Sequence, residues 1–296
     1  MRVNPNYVLN LANSLDQSAS AEQKLTVELS SGLRVSSLSD DPVAAAQSSL
    51  LNTAISQQDT YVQIAAGESS RLQAGDSALS EVVTQLTSAI SIATQASNGT
   101  QNSVNQLASA QQLSGIRDTI LSLANTSYAG TYLFSGSQGT TKPFSLDTST
   151  TPATAVYAGD TAVQSVVTPS GQSIQVNLPG SAVFAPVLSA LNQMIADLSG
   201  GASSATVTAD STALTSALGQ LTTQRSVLDN SLSKLQATST YTQTQAAQAT
   251  AAQASLVASD TGEVATQLSA SETQHQALLS VISGLQQQTD LFGFIR

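Results

Sequence analysis

Few residues in this chain have the type and spacing that catalysis or metal binding requires. Asp40 and Asp41 form an adjacent carboxylate pair, and such pairs can hold a metal ion or transfer protons. No His or third ligand lies near this pair in the sequence, and Pro42 follows it directly. Because Asp is favoured as a helix N-cap and Pro at the first helical position, we interpret Asp41 and Pro42 as a helix cap.

The other candidates for chemistry are weaker. His275 is the only His, and it falls on the apolar stripe of a predicted helix, where packing is the common role. The loop from Ser135 to Gly139 is rich in Gly but lacks the Lys and the following helix of a phosphate-binding loop. The chain has no Cys, which excludes disulfides and thiolate metal sites. We therefore predict that the protein is not an enzyme and uses no metal or cofactor.

The strongest pattern in the sequence is an apolar stripe near the C-terminus, between residues 260 and 296. Its positions alternate in steps of four and three over about four heptads, which is typical of a coiled coil. They are Val264, Leu268, Ser271, His275, Leu278, Ile282, Leu285, Thr289 and Phe292. A helix with so narrow a stripe gains most of its stability from a packing partner, so this stripe predicts a helical neighbour.

A matching stripe lies near the N-terminus. Its positions are Val8, Leu11, Leu15, Ser18, Glu22, Leu25 and Leu29. We predict that the two terminal helices pair with each other through an assembly seam. Both stripes include polar residues, so the pair should be marginal in isolation and firm only when further copies add apolar surface. This pattern indicates a subunit of an assembly.

Composition excludes several classes of partner. The chain has 296 residues with a net charge of −10 and no basic run, so nucleic acid and anionic membrane surfaces are not expected partners. Aromatic residues make up only 4% of the chain, which suits long helices better than one large globular core. The N-terminus has no basic segment followed by an apolar run, so we expect no cleaved secretory signal.

The pattern along the chain predicts a mainly α protein with a β-rich insert. Long helical stretches run from Pro42 to about Ser97 and again from Ser211, and a third helix spans Gln101 to Tyr128. Short strands are predicted at Thr131–Phe134, Ala155–Tyr157, Ala162–Val167 and Ser173–Leu178, since Gly, Pro and β-branched residues cluster there. We expect an elongated antiparallel helical bundle or coiled-coil rod, with a small β domain between its terminal segments.

The same pattern divides the chain into three predicted domains. Residues 1–40 and 260–296 form a terminal coiled-coil assembly domain. Residues 41–130 and 205–259 form a helical rod domain, and residues 131–204 form a β-rich outer domain. In this arrangement the chain leaves along the rod, folds the insert and returns, so both termini are expected at the same end.

Several stretches carry a resemblance to a known family. The segment from Leu29 to Ala46 resembles the N-terminal signature shared by bacterial flagellins and hook-associated proteins. Tyr132–Gly136, Tyr157–Asp160 and Gly180–Phe184 resemble the middle of the family members that lie at the hook–filament junction. The sequence Asp-Asp-Pro-Val at 40–43 is closer to those members than to flagellin.

The resemblance implies a structural subunit of the bacterial flagellum that joins a hook-side junction protein to the flagellin filament. It implies self-assembly into an axial ring, contact with the first hook-associated junction protein and with flagellin, and binding to an export chaperone. It also implies passage through the flagellar export apparatus without a cleaved signal peptide, and an extracellular location on the flagellum.

Three other functions compete with this interpretation. A divergent flagellin that forms the filament itself belongs to the same structural class. An enzyme in the β insert is disfavoured because no nucleophile motif or ligand cluster lies there. A surface-binding module with the β insert as its head is a possible secondary role, because the insert should face outward from the rod.

Overall fold

The computed structural model describes residues 5–98 and 102–293, with side chains described for residues 9–98 and 102–284. Most of these residues are helical, and the remainder include short strands, so the predicted fold class of a mainly α protein with a β-rich insert is confirmed. The helices are α1 (Pro5–Ser31), α2 (Pro42–Ala96), α3 (Ser103–Ala124), α4 (Gly180–Val183), α5 (Ala185–Ser199), α6 (Ser204–Val257) and α7 (Thr261–Gly293).

The chain divides into two compact units. The terminal unit comprises the described residues of Met1–Ser56 and Ala246–Arg296, and the central unit comprises those of Gln57–Gln245. Helices α2 and α6 contribute residues to both units. The predicted division into three domains at residues 40, 130, 204 and 259 remains a prediction.

The core of the central unit is built from α2, α3, α5 and α6. The heptad positions Leu72, Leu79, Leu86 and Ala93 of α2 are all buried, as their spacing predicts. They pack with apolar residues of the neighbouring helices, among them Leu113, Ile120, Leu191, Met194, Leu214 and Leu221. Ala at many of these core positions allows close approach of helices, which is how a chain poor in aromatic residues still forms a continuous core.

One ion pair also joins two of the long helices. The Arg225 side chain on α6 donates to Asp76 on α2, with Nε 2.6 Å from Oδ1 and Nη2 3.2 Å from Oδ2. This is a bidentate geometry, which is the strong form of an Arg–carboxylate contact. Asp76 is therefore the structural acid partner of Arg225.

The β insert consists of three antiparallel pairs. These are β1 (Ser127–Tyr128) with β2 (Thr131–Tyr132), β3 (Phe144–Asp147) with β4 (Thr154–Tyr157), and β5 (Ser165–Val167) with β6 (Ser173–Gln175). Strands β5 and β6 lie within the segments predicted at Ala162–Val167 and Ser173–Leu178, and they pair as a hairpin with Val166 opposite Ile174. Strands β1 and β3 were not predicted from the sequence.

Two predicted helix boundaries are wrong. Helix α3 ends at Ala124 and not at Tyr128, because the Asn125 side chain pairs with the backbone of Phe144. This contact fixes the chain for strand β3 and ends the helix. Helix α6 begins at Ser204 and not at Ser211, and its first turns bury Val207. Tertiary burial outweighs the low helix propensity of the Ser and Thr residues there.

Candidate assembly interface

In the terminal unit α1 packs against α7. Every described seam position is buried or half-buried, and almost all intervening positions are exposed. Val264 is the most buried apolar member, at 5% exposed. The half-buried members are Leu11, Leu15, Leu25, Leu29, Leu268, Leu278 and Ile282. Val8 lies on α1, and Leu285 and Phe292 lie on α7, but their side chains fall outside the described residues.

A polar layer interrupts this seam. Ser18 is buried, and His275 Nδ1 lies 3.8 Å from Glu22 Oε1. Ser18 Oγ, Glu22 Oε1 and His275 Nδ1 are shielded from solvent and have no hydrogen-bond partner. A buried polar atom without a partner costs about 1–3 kcal/mol, and polar seam residues reduce stability while they fix register. The pairing of α1 and α7 is therefore weaker than an all-apolar seam of the same length.

The terminal unit also keeps apolar side chains on its surface. Leu9 and Val27 on α1 are more than half exposed, and Val281 on α7 is 45% exposed. Leu38, Val43 and Leu50 are exposed in the segment that enters α2. These side chains are available for contact with a neighbouring molecule.

These features predict how the terminal helices behave in a lone monomer. We expect backbone amides of α1 and α7 to exchange hydrogen rapidly, because their seam is half-buried and polar in part. Amides of α2 beyond residue 70 and of α3 should exchange slowly, since those helices bury a continuous core. Hydrogen exchange followed by mass spectrometry on the purified monomer measures both. Strong protection of α1 and α7 in the monomer would contradict the marginal seam.

A hydrogen-bonded corner joins the link after α1 to the link before α7. The backbone N–H of Arg34 donates to the Val257 carbonyl at 2.8 Å, and the Ser259 N–H donates to the Gly32 carbonyl at 2.9 Å. Arg34 Nη2 also donates to the Leu256 carbonyl at 3.0 Å. The chain therefore enters and leaves the terminal helices at one fixed point.

The carboxylates at this corner hold the start of α2. Asp41 Oδ1 accepts from the backbone N–H groups of Val43 and Ala44 at 3.2 and 3.0 Å, so Asp41 caps α2 and Pro42 is its first residue. Asp40 accepts from Ser37 and Ser36 and forms an ion pair with Lys24 at 3.2 Å. The Ser37 hydroxyl, followed by Lys24, holds the pKa of Asp40 well below its usual range. Both carboxylates accept hydrogen bonds from backbone N–H groups, which fits the interpretation of Asp41 and Pro42 as a cap.

The three family-like stretches of the β insert meet in one cluster. The Tyr157 hydroxyl lies 3.0 Å from the Phe134 carbonyl and 2.7 Å from the Asp160 carbonyl. The backbone N–H of Gly180 donates to the same Phe134 carbonyl at 2.8 Å. Asp160 accepts from the Ser137 hydroxyl and backbone N–H, and these bonds lower the pKa of the Asp160 carboxyl. Residues distant in sequence therefore join the insert to the start of α4.

Asp210 on α6 is a buried carboxyl in the central unit, 8% exposed, and its Oδ2 has no hydrogen-bond partner. Burial and the neighbouring Asp197 carboxyl raise the pKa of Asp210 from 3.8 to about 6. The folded state therefore favours the protonated form. The stabilising contribution of protonated Asp210 is complete below about pH 4, and it is lost as the pH rises through about 6.

We accordingly expect Asp210→Asn to stabilise the central unit at high pH only. The free energy of unfolding should rise by about 2 kcal/mol at pH 8 and stay nearly unchanged at pH 4. Urea denaturation at the two pH values measures this difference. Asp59→Asn, an exposed position on α2, is the matched control and should change neither value. Equal effects of Asp210→Asn at both pH values would refute the assignment.

The part of the chain that the structure describes contains no cluster of three or more His, Cys, Asp or Glu residues suited to a metal ion. Among the same residues, none of the helices has the length and hydropathy needed to cross a membrane.

Comparison with known proteins locates the resemblance on the chain. Residues 3–139 match the model of the bacterial flagellin N-terminal helical region. The chain carries a flagellin-like N-terminal region. This region includes α1, the corner around Asp41, α2 and α3, so the terminal helix and the cap lie within the matched part. The resemblance drawn from Leu29–Ala46 is thereby confirmed.

Relatives of this flagellin-like chain carry a more specific name. It is 36% identical over 119 residues to the flagellar hook-associated protein 3 of Escherichia coli K12, a match that covers 40% of this chain and 38% of that protein. The matched part thus spans well under half the length of that relative.

Two solved structures share the fold. The flagellar hook-associated protein 3 of Legionella pneumophila superimposes with a TM-score of 0.63 at 17% identity, over 70% of this chain and 98% of that chain. The flagellar junction protein of the same organism gives a TM-score of 0.58 at 18% identity, over 71% and 99%. At these identities the structures show a common fold.

Proposed function

We propose that this protein is a structural subunit of the bacterial flagellum at the hook–filament junction, where it joins a hook-side junction protein to the flagellin filament. The observation that carries the proposal is the match to a flagellar hook-associated protein 3, together with the flagellin-like region at residues 3–139. The geometry of the terminal unit supports it, since a half-buried seam and exposed apolar side chains suit a subunit that completes its packing against neighbours.

The partners belong to the same proposal. Copies of the chain assemble into an axial ring, in contact with the first hook-associated junction protein on one side and flagellin on the other. An export chaperone and the flagellar export apparatus deliver the chain to the extracellular flagellum, without a cleaved signal peptide. The protein acts through contacts and not through catalysis, in keeping with relatives that are flagellar structural proteins.

The seam between α1 and α7 is proposed as the part that assembles. Leu11, Leu15, Leu25 and Leu29 of α1 would pack with Val264, Leu268, Leu278 and Ile282 of α7, and Val8, Leu285 and Phe292 would extend the seam. The β insert would form the outer part of the subunit. At about 25 cal/mol per Å² of apolar surface removed from water, neighbouring copies would supply the stability that the single pair lacks.

The location of the protein on the flagellum tests this function. A fluorescent label on the full chain, expressed in the bacterium that produces it, should give one spot per flagellum at the distal end of the hook. Deletion of residues 260–296 should abolish filament attachment and self-assembly. Normal attachment by the truncated chain would overturn the proposal.

A divergent flagellin is the second candidate, because the matched family model describes the N-terminal helical region of flagellin itself. In that case the label would stain the whole length of the filament. The relative named hook-associated protein 3 favours the junction.

A further inference from the structure

A groove in the central unit lies between α5 and the β3–β4 hairpin. Its volume is about 520 Å³, which falls within the range of small-ligand pockets. Phe144 and Leu188 contribute to an apolar floor. The described residues that line it include no charged side chain, although the chain as a whole carries a net charge of −10. The groove therefore suits an uncharged ligand.

One wall of the groove is the face of α5 that carries small and polar residues. Ser189, Asn192, Gln193 and Ala196 lie on this face at helical spacing, whereas Leu191 and other apolar residues of α5 are buried in the core. The small side chains at positions 189 and 196 leave room beside the helix. Of the two amides between them, Gln193 donates from Nε2 to Asp197 Oδ2 at 2.8 Å, which leaves its second N–H for a ligand, and Asn192 can both donate and accept.

The Asn192 side chain has a hydrogen-bond acceptor to which no group of the protein donates. Its Oδ1 atom is shielded from solvent and has no hydrogen-bond partner. Buried polar atoms in folded proteins nearly always have a partner, so this atom is an exception that calls for an explanation. Because Asn192 also lines the groove but Oδ1 is closed to solvent in this conformation, a hydroxyl group of a bound ligand would supply the missing donor only after the Asn192 side chain rotates toward the groove.

The opposite wall includes the loop between β3 and β4, which hydrogen bonds within the protein hold in place. The buried Arg117 donates from Nη1 to the Ala153 carbonyl at 3.0 Å, which anchors the hairpin loop to α3. Thr150 Oγ1 donates to the Pro152 carbonyl at 3.1 Å within the same loop. Such preorganisation reduces the entropy that binding must otherwise remove.

We propose that this groove binds a neutral oligosaccharide. Sugar hydroxyls both donate and accept, as the side-chain amides of Asn192 and Gln193 require, and the C–H faces of a sugar ring can pack on the apolar part of the groove beside Tyr157. The absence of charge among the lining residues disfavours sialylated, sulfated or phosphorylated ligands. This binding site is independent of the junction role proposed above, and it gives the β insert a recognition function of its own.

Saturation-transfer NMR with the full chain tests the proposal. The probes are chitotriose and maltotriose, with 3′-sialyllactose as a charged trisaccharide and a capped hexapeptide of Ser, Thr and Asn as a neutral peptide. We expect at least one neutral trisaccharide to bind with a Kd of about 1 mM or below, a value within the range of weak specific complexes.

Two variants locate the binding. Ser189→Phe fills the groove and Asn192→Leu removes the unpaired acceptor, and each should weaken the binding at least about tenfold, a change of about 1.4 kcal/mol. Ser165→Phe, on the exposed strand β5, introduces the same side chain outside the groove and should leave the Kd unchanged. Circular dichroism of each variant confirms that it is folded.

Three outcomes would overturn the proposal. The first is that neither neutral trisaccharide binds with a Kd below about 10 mM. The second is that binding persists in both Ser189→Phe and Asn192→Leu. The third is tighter binding of the peptide or of 3′-sialyllactose, which would assign the groove to a different class of ligand.

Discussion

Gly136→Ala should destabilise the β insert by about 3 kcal/mol or more. Gly136 has a φ of 74°, in the left-handed region, and a Cβ at this position would overlap Oδ1 and the carbonyl of Asp160. Those Asp160 atoms cannot move away freely, because they are bonded to Ser137 and to the Tyr157 hydroxyl. The substitution therefore forces apart the cluster that joins the insert to the start of α4.

Gly171→Ala is the matched control for this prediction. Gly171 has a φ of 85° in the turn between β5 and β6, and no atom of a residue beyond its chain neighbours lies within 4 Å of the point that a Cβ would occupy. The substitution should therefore cost only the backbone term, about 1 kcal/mol. Chemical denaturation and hydrogen exchange of residues 131–183 measure both variants. Equal losses for the two substitutions would show that the contact with Asp160 contributes nothing.

Val264→Asp should abolish the pairing of α1 and α7 and, with it, filament attachment. Val264 is the most buried apolar residue of the described seam, at 5% exposed. A carboxylate there would be buried without a partner in a seam that already contains a polar layer, at a cost of about 3 kcal/mol or more. Because the pair is weak already, we expect at least about a tenfold loss of attached filaments, counted by electron microscopy.

Ala265→Asp is the control for this second prediction. Position 265 is the next residue on α7, and it is exposed. The variant adds the same charge to the same helix without burying it, so filament attachment should remain close to that of the unmodified protein. Loss of attachment in Ala265→Asp alone, with normal attachment in Val264→Asp, would refute the proposed seam.

The two predictions act on different units. Gly136→Ala affects the central unit and should leave α1 and α7 unchanged, whereas Val264→Asp affects the terminal unit and should leave the exchange rates of the β insert unchanged. Measuring both variants on the same full-length chain separates a failure of the insert from a failure of the assembly seam.

The long helix α2, which has a regular spacing of apolar residues, could be predicted from the sequence. The seven-residue spacing of Leu72, Leu79, Leu86 and Ala93 predicted a buried face of α2, because a helix places such residues on one side whatever it packs against. Asp41 and Pro42 predicted the start of α2 for a similar reason, since a cap depends only on adjacent residues.

The β insert shows where local patterns were insufficient. Strands β1 and β3 were missed, and α3 was extended past Ala124, because Asn125 bonds to Phe144 from nineteen positions away in the sequence. The cluster around Asp160 likewise joins residues that no periodicity relates. The groove beside α5 also depends on contacts between distant segments, since Asn192 lines a groove only when the β3–β4 hairpin lies opposite α5.

The apolar faces of the long helices, the cap and the family-like stretches could be predicted from the sequence alone, because each depends on neighbouring residues or on a repeat along one helix. Which polar atoms remain without partners, which glycine cannot accept a side chain and where a groove opens could be seen only in the folded chain. These properties arise from contacts between segments far apart in the chain, whose distances are set only when the core packs.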